Sequence, residues 1–312
     1  DTDRIIREPT LVSSLSKQVT SVVCGPAQTA AFAESGEMYM CGFDSSSQRK
    51  QGTFQEFRYW SRVGRPSDAL QLHFGPQHTA LLMRSQSPET TVWVWGASPC
   101  GQLGLGSEEG EKSVKRSPTR LTFPEGVVVE QLSGSDTHMS ALTNQGEVYM
   151  WGKNEGGCLG TKKVEKIITS PTIVADFDEQ IIQVACGNGF TIALDSDGDV
   201  YSWGEPSPEL LGREINREGE GAASVPTLIP ELWKGTYKET QYILAGRYHA
   251  TAIKQDRVPL LWGRGRGYCI NPASEENVPL PLPLAASPAA IALGNAFTVA
   301  IFGQLTQTSL LP

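Results

Sequence analysis

Residues 146–152 read "GEVYMWG": a turn glycine, a short apolar and aromatic run, and a closing Trp-Gly pair. Nearly the same words return at 198–204 as "GDVYSWG" and at 36–42 as "GEMYMCG". A stretch that recurs within one chain marks a repeat, and a repeat decides the fold before any single residue does.

Two further signals accompany each copy in fixed order. Pro-led segments, read as strand starts, occur at 8–12 "EPTLV", 117–121 "SPTRL", 170–174 "SPTIV", 225–229 "VPTLI" and 278–282 "VPLPL". A marker glycine then precedes His, Gln or Phe by three residues, with small apolar residues after it. Gly25, Gly75, Gly187, Gly246 and Gly294 open these segments, and Ser135 holds the same register in a sixth. From marker to closing glycine is 17 residues in four units: Gly25 to Gly42, Ser135 to Gly152, Gly187 to Gly204 and Gly246 to Gly263. From Gly75 to Gly96 it is 21, because "SQSPET" enlarges the hairpin. Constant internal spacing inside a drifting longer period identifies six units, roughly 8–58, 59–116, 117–169, 170–224, 225–277 and 278–312.

Each signal has a physical role. Proline presets φ and suits a strand position that needs no N–H donor. The marker glycine allows either a positive φ or a close backbone approach. Runs such as "TALL" and "TIAL" are apolar on successive residues, as in strands covered on both faces. "NQGE" at 144–147 and "SDGD" at 196–199 are hairpin turns. Trp95, Trp151, Trp203 and Trp262 are apolar plates that close each strand, and Cys41 stands in their place in the first unit. Units of about fifty residues with short antiparallel strands and buried aromatics predict an all-β fold, a β-propeller spanning 1–312. No unit can bury both of its faces alone. The N-terminal strand is expected to complete the last blade and close the ring.

Composition narrows the function classes. The 312 residues are 39% apolar and 19% charged, with 32 Gly, 20 Pro and a net charge of −8. An acidic balance disfavours nucleic acid and anionic membranes as partners, and no apolar stretch is long enough to span a bilayer. The short basic clusters "VKR" at 114–116 and "KK" at 162–163 read as solvated loops. The six cysteines form no C-x-x-C pair, and Cys24 and Cys186 share one register as small buried residues. Disulfides, metals and cofactors are therefore not expected, and an intracellular, cytoplasmic setting is, with the nucleus left open. The chain opens on Asp1 rather than Met, which suggests a piece of a longer protein.

The combined pattern P-x-x-V, G-x-x-H-T-x-x-L, G-x-V-Y-x-W-G and then G-Q-L-G resembles the repeat of the regulator of chromosome condensation family. The G-Q-L-G loop survives as "GQLGLG" at 101–106, and more weakly as "GGCLG" at 156–160 and "ELLG" at 209–212. The resemblance covers essentially the whole chain and implies a single ring-shaped propeller. The founding member's ring has seven blades, so six units imply either a smaller ring or a blade missing from this chain. Family members include a nucleotide exchange factor for a small GTPase, a plant light receptor and many adaptor domains. The light-receptor reading needs tryptophans in the marker turns, where this chain has Pro26, Pro76, Asp136, Asn188, Arg247 and Asn295.

No reaction centre is legible. His78, His138 and His249 share a register with Gln28, Phe190 and Phe297, so they read as structural. "DSDGD" at 195–199 lacks the spacing of a calcium loop, and "GRGRG" at 263–267 fits neither a P-loop nor a dinucleotide fingerprint. What remains is surface. Gln77, Asp136, Asn188, Arg247 and Tyr248 in the marker turns, with Arg264 and Arg266 in a blade-exit loop, are the candidate partner-binding residues. The expected function is a non-catalytic interaction propeller with a protein partner. The alternative is a guanine nucleotide exchange factor whose wedge lies at 84–90, 107–116 or 213–224.

Overall fold

The computed structural model describes residues 12, 15, 17–42, 54–85, 89–106, 114–161, 165–174, 177–216, 223–232, 239–264, 278–281, 288–294 and 298–301. Blade 1 comprises β1 (Val19–Cys24), β2 (Gln28–Ala33), β3 (Met38–Gly42) and β4 (Gln55–Glu56). Blade 2 comprises β5 (Ala69–Phe74), β6 (His78–Arg84), β7 (Thr90–Ala97) and β8 (Val114–Leu121). Blade 3 comprises β9 (Val129–Gly134), β10 (His138–Thr143), β11 (Val148–Lys153) and β12 (Ile167–Ile173). Blade 4 comprises β13 (Ile181–Cys186), β14 (Phe190–Asp195), β15 (Val200–Gly204) and β16 (Thr227–Leu228). Blade 5 comprises β17 (Thr240–Ala245), β18 (His249–Lys254), β19 (Pro259–Gly263) and β20 (Leu280–Pro281). Blade 6 has two described strands, β21 (Ala290–Leu293) and β22 (Thr298–Ile301). All neighbouring strands pair antiparallel, in the meander order of a propeller blade.

The sequence units and the sheets are out of phase by one strand. "SPTRL" lies in β8, which pairs with β7, so the proline-bearing strand is the outer strand of the preceding blade. Nor does Pro118 begin that strand; it sits at a register break opposite Trp95, as Pro171 does opposite Trp151. An outer strand has no partner on its far side, so the missing N–H costs nothing there. Each sequence unit therefore ties two blades together covalently. "VKR" at 114–116 lies in β8 rather than in a loop, because an edge strand leaves Val114 and Arg116 exposed. The "KK" pair, the N-terminal segment 8–11 and most of the candidate wedges lie outside the described residues.

The hydrophobic cores lie between blades, not within them. Ala80 and Leu82 of β6 pack with Leu132, Met139 and Trp151 of blade 3. Equivalent cores join blades 1 and 2, 3 and 4, and 4 and 5. β6, β10, β14 and β18 are buried over nearly every residue, as the unbroken apolar runs imply. Each closing Trp faces the preceding blade. Trp151 Nε1 donates to Gln102 O at 2.9 Å, and Trp262 Nε1 donates to Leu210 O at 3.1 Å. Phe123 and Phe177, in the connections after β8 and β12, meet the rings of Trp151 and Trp203 at 6.1 and 5.9 Å. Burying an indole contributes at most about 4–6 kcal/mol from its area. Gly104 (φ +70) shows why the loop ends in glycine: a Cβ there would lie 2.8 Å from Trp151 Nε1.

Polar groups repeat the same inter-blade contact. His138 Nε2 lies 3.2 Å from Thr191 Oγ1 of blade 4, and His249 Nε2 lies 3.2 Å from Thr298 Oγ1 of blade 6. The histidine and threonine of the repeat thus serve different blades. Of the two roles open to the marker glycine, close approach applies: a Cβ on Gly75 would sit 2.0 Å from the His78 ring. A second latch carries no obvious sequence signature. Gln71 Nε2 donates to Leu132 O (2.8 Å) while Leu132 N donates to Gln71 Oε1 (2.7 Å). Gln183 holds Ile243 in the same way at 2.9 and 2.8 Å, and Val184 N donates to Gln131 Oε1 at 2.9 Å.

Blade 1 departs from the pattern. Cys186 is buried as expected, but Cys24 in the same register is exposed, because nothing among the described residues covers that face of β1.

Candidate interaction face

The marker turns and the blade-exit loops lie at the same end of each blade, because His138 pairs with Gly152 and His249 with Gly263 across the central hairpin. In blades 3, 4 and 5 the turns also touch one another. Asn188 N donates to Arg247 O at 2.8 Å, and Arg247 N reaches Gly294 O at 3.4 Å. Arg247 Nη2 extends past blade 4 to Asp136 Oδ2 of blade 3, at 2.8 Å. The Arg247 guanidinium also stands 5.2 Å from the Tyr248 ring centroid, within cation–π range. Tyr248 is half-buried against the core between blades 4 and 5, so its ring is a fixed platform.

The exit loops add a second ion cluster. Ser207 caps the short helix α1 (Pro208–Leu211), with Pro208 at its first position and Gly212 in the left-handed conformation after it. The buried Leu210 and Leu211 turn inward, which points Glu209 outward. Arg264 Nε donates to Glu209 Oε2 and its Nη1 to Glu205 Oε1, both at 3.1 Å. That guanidinium, followed by the Ser207 hydroxyl, holds the Glu209 carboxyl below the usual range. Arg264 N also donates to Tyr248 O at 2.7 Å, joining the two clusters.

Asp136, Asn188, Arg247, Tyr248 and Arg264 therefore form one neighbourhood. Gln77 is exposed in the blade 2 turn at the same end. Arg266 lies outside the described residues. Sequence reading missed Glu205 and Glu209, whose only signal was the acid-bearing "GEPSPEL" after Trp203. Trp95, Trp151, Trp203 and Trp262 are buried between blades. "SDGD" is a hairpin turn, with Asp195 N bonded to Asp199 O at 3.1 Å.

The regulator of chromosome condensation (RCC1) repeat matches residues 90–142 and 145–194. Residues 90–194 thus carry two RCC1 repeats, and the chain folds as a β-propeller. Each matched segment runs from the outer half of one blade into the inner half of the next, which is the one-strand offset seen in the sheets. The chain is 26% identical over 251 residues to the probable E3 ubiquitin-protein ligase HERC6 of Homo sapiens, covering 75% of this chain and 23% of that protein. It is 28% identical over 225 residues to the guanine nucleotide exchange factor SRM1 of Saccharomyces cerevisiae, covering 62% and 45%. The chain spans less than half the length of these curated relatives. The solved structure of Prp20p from Saccharomyces cerevisiae, described with its binding properties to Gsp1p and histones, superposes with a TM-score of 0.73 at 22% identity. It covers 93% of this chain and 69% of that one, and it supports the propeller fold. Among the described residues no helix is long and apolar enough to cross a membrane.

Proposed function

We propose that this propeller is a non-catalytic docking platform for a protein partner, bound through the face formed by the turns and exit loops of blades 3 to 5. The observation that carries the reading is the Arg247–Asp136 bridge at 2.8 Å over the Tyr248 ring. It fixes an arginine and a tyrosine, residue types enriched at binding hot spots, on a rigid scaffold. Arg247 and Arg264 are 40% and 48% exposed, so both guanidinium groups are open to a partner. The test is affinity capture by the purified propeller beside an Arg247→Glu, Arg264→Glu variant and a Gln145→Lys variant at the opposite end of the blades. Saturable partners lost only in the first variant support the reading. No saturable partner, or partners kept by that variant, overturn it.

A second reading is nucleotide exchange on a small GTPase, favoured by the similarity to SRM1 over 62% of this chain. Exchange requires tighter binding to the nucleotide-free GTPase than to the loaded one. Accelerated release of fluorescent GDP from any member of a GTPase panel supports it, and unchanged release across the panel removes it.

A further inference from the structure

Three departures from the repeat pattern, in two adjacent blades, converge on one point. Two residues before the marker the units carry Val23, Ser133, Ala185 and Leu244, but blade 2 has His73. One residue before it they carry Cys24, Phe74, Cys186 and Ala245, but blade 3 has Gly134. Four residues after it Thr29, Thr79, Thr191 and Thr298 recur, but blade 3 has Met139. A Cβ on Gly134 would lie 2.1 Å from Met139 Sδ and 2.7 Å from His73 Nε2. The glycine thus lets a thioether and an imidazole close on the same space. His78 joins them, its Nε2 3.2 Å from the Met139 sulfur and its ring centroid 5.8 Å from that of His73.

We infer that His73, His78 and Met139 form a binding site for a soft monovalent cation of the copper(I) type. His73 Nε2 is buried without a hydrogen-bond partner. Buried polar atoms of this kind call for a ligand or another explanation. His78 Nδ1 carries the ring proton when Nε2 faces an ion. Two imidazoles and a thioether are the donor set that selects copper(I), whereas zinc sites use thiolate, imidazole and carboxylate. No group of three His, Cys, Asp or Glu placed for a harder ion occurs among the described residues. Cys158 and Cys186 lie in the core between blades 3 and 4, on the other side of blade 3.

The test uses reduced protein with Cys24, Cys41, Cys100 and Cys269 changed to Ser, titrated anaerobically with copper(I) against bicinchoninate. Methyl NMR of the five methionines reports the location. One ion per chain is expected, with the Met139 methyl shifted and those of Met38, Met40, Met83 and Met150 unmoved. The near-isosteric Met139→Leu and the His73→Asn variants should each lose at least about ten-fold in affinity. An unmoved Met139 methyl, or variants that bind as the parent does, overturns the site.

Discussion

The interface between blades 2 and 3 and the two outermost blade faces use the same register positions with opposite results. Leu132 of blade 3 is 1% exposed, held by Gln71 and covered by Ala80 and Leu82 of blade 2. Val22, its counterpart in blade 1, is 56% exposed. Leu82 is fully buried, while Ile301, its counterpart in blade 6, is 51% exposed. The residue types are alike; what differs is the presence of a neighbour among the described residues. The contrast shows that burial in this propeller belongs to pairs of blades. At Val22 and Ile301 the apolar pattern of the blade is kept while the burial is lost. Tyr39 and Cys41, where the inner blades bury an aromatic and a Trp, lie on that same uncovered face of blade 1 and are only half-buried.

The largest expected effect tests the covered side. Trp151→Ala should cost about 3–5 kcal/mol, since it empties an inter-blade core and orphans Gln102 O. Denaturant unfolding measures it, and a loss below about 1 kcal/mol would break the comparison. Next comes the register-matched pair. Leu132→Ala should cost about 2–5 kcal/mol. Val22→Ala should stay within about 0.5 kcal/mol. Equal losses from the two would mean that the uncovered face is filled in solution.

A third test concerns pH and the buried histidines. His73, His78 and His138 are lowered to about 4, 3 and 4 by burial, from an unfolded value near 6.5. The unfolded chain therefore binds protons between about pH 6.5 and 3–4 while the folded chain does not. Stability is fully present above that window and falls as pH drops through it. Thermal melts from pH 7.5 to 5 should show a falling Tm. His138→Phe, which copies blade 4, should flatten the slope. An unchanged slope would remove His138 from the explanation.

The periodic features were legible because a repeat writes each structural demand several times. The Trp plates, the hairpin turns "NQGE" and "SDGD", and the doubly covered runs all form as the pattern implied. Other features could not be read. Gln71, Gln131 and Gln183 recur four residues before the marker, but a glutamine in a strand announces no partner until the next blade lies beside it. The ion pairs from Arg264 to Glu205 and Glu209 join residues more than fifty apart, at a distance set by blade packing.

By itself the sequence determined the blade: local turn chemistry and strand periodicity act over a few residues and are written where they act. Only the tertiary structure decided which face of each blade is core. It also decided that the proline strand belongs to the blade before, and that His73, Gly134 and Met139 meet. Those outcomes depend on contacts between successive repeats, and burial is a property of the contact, not of the residue.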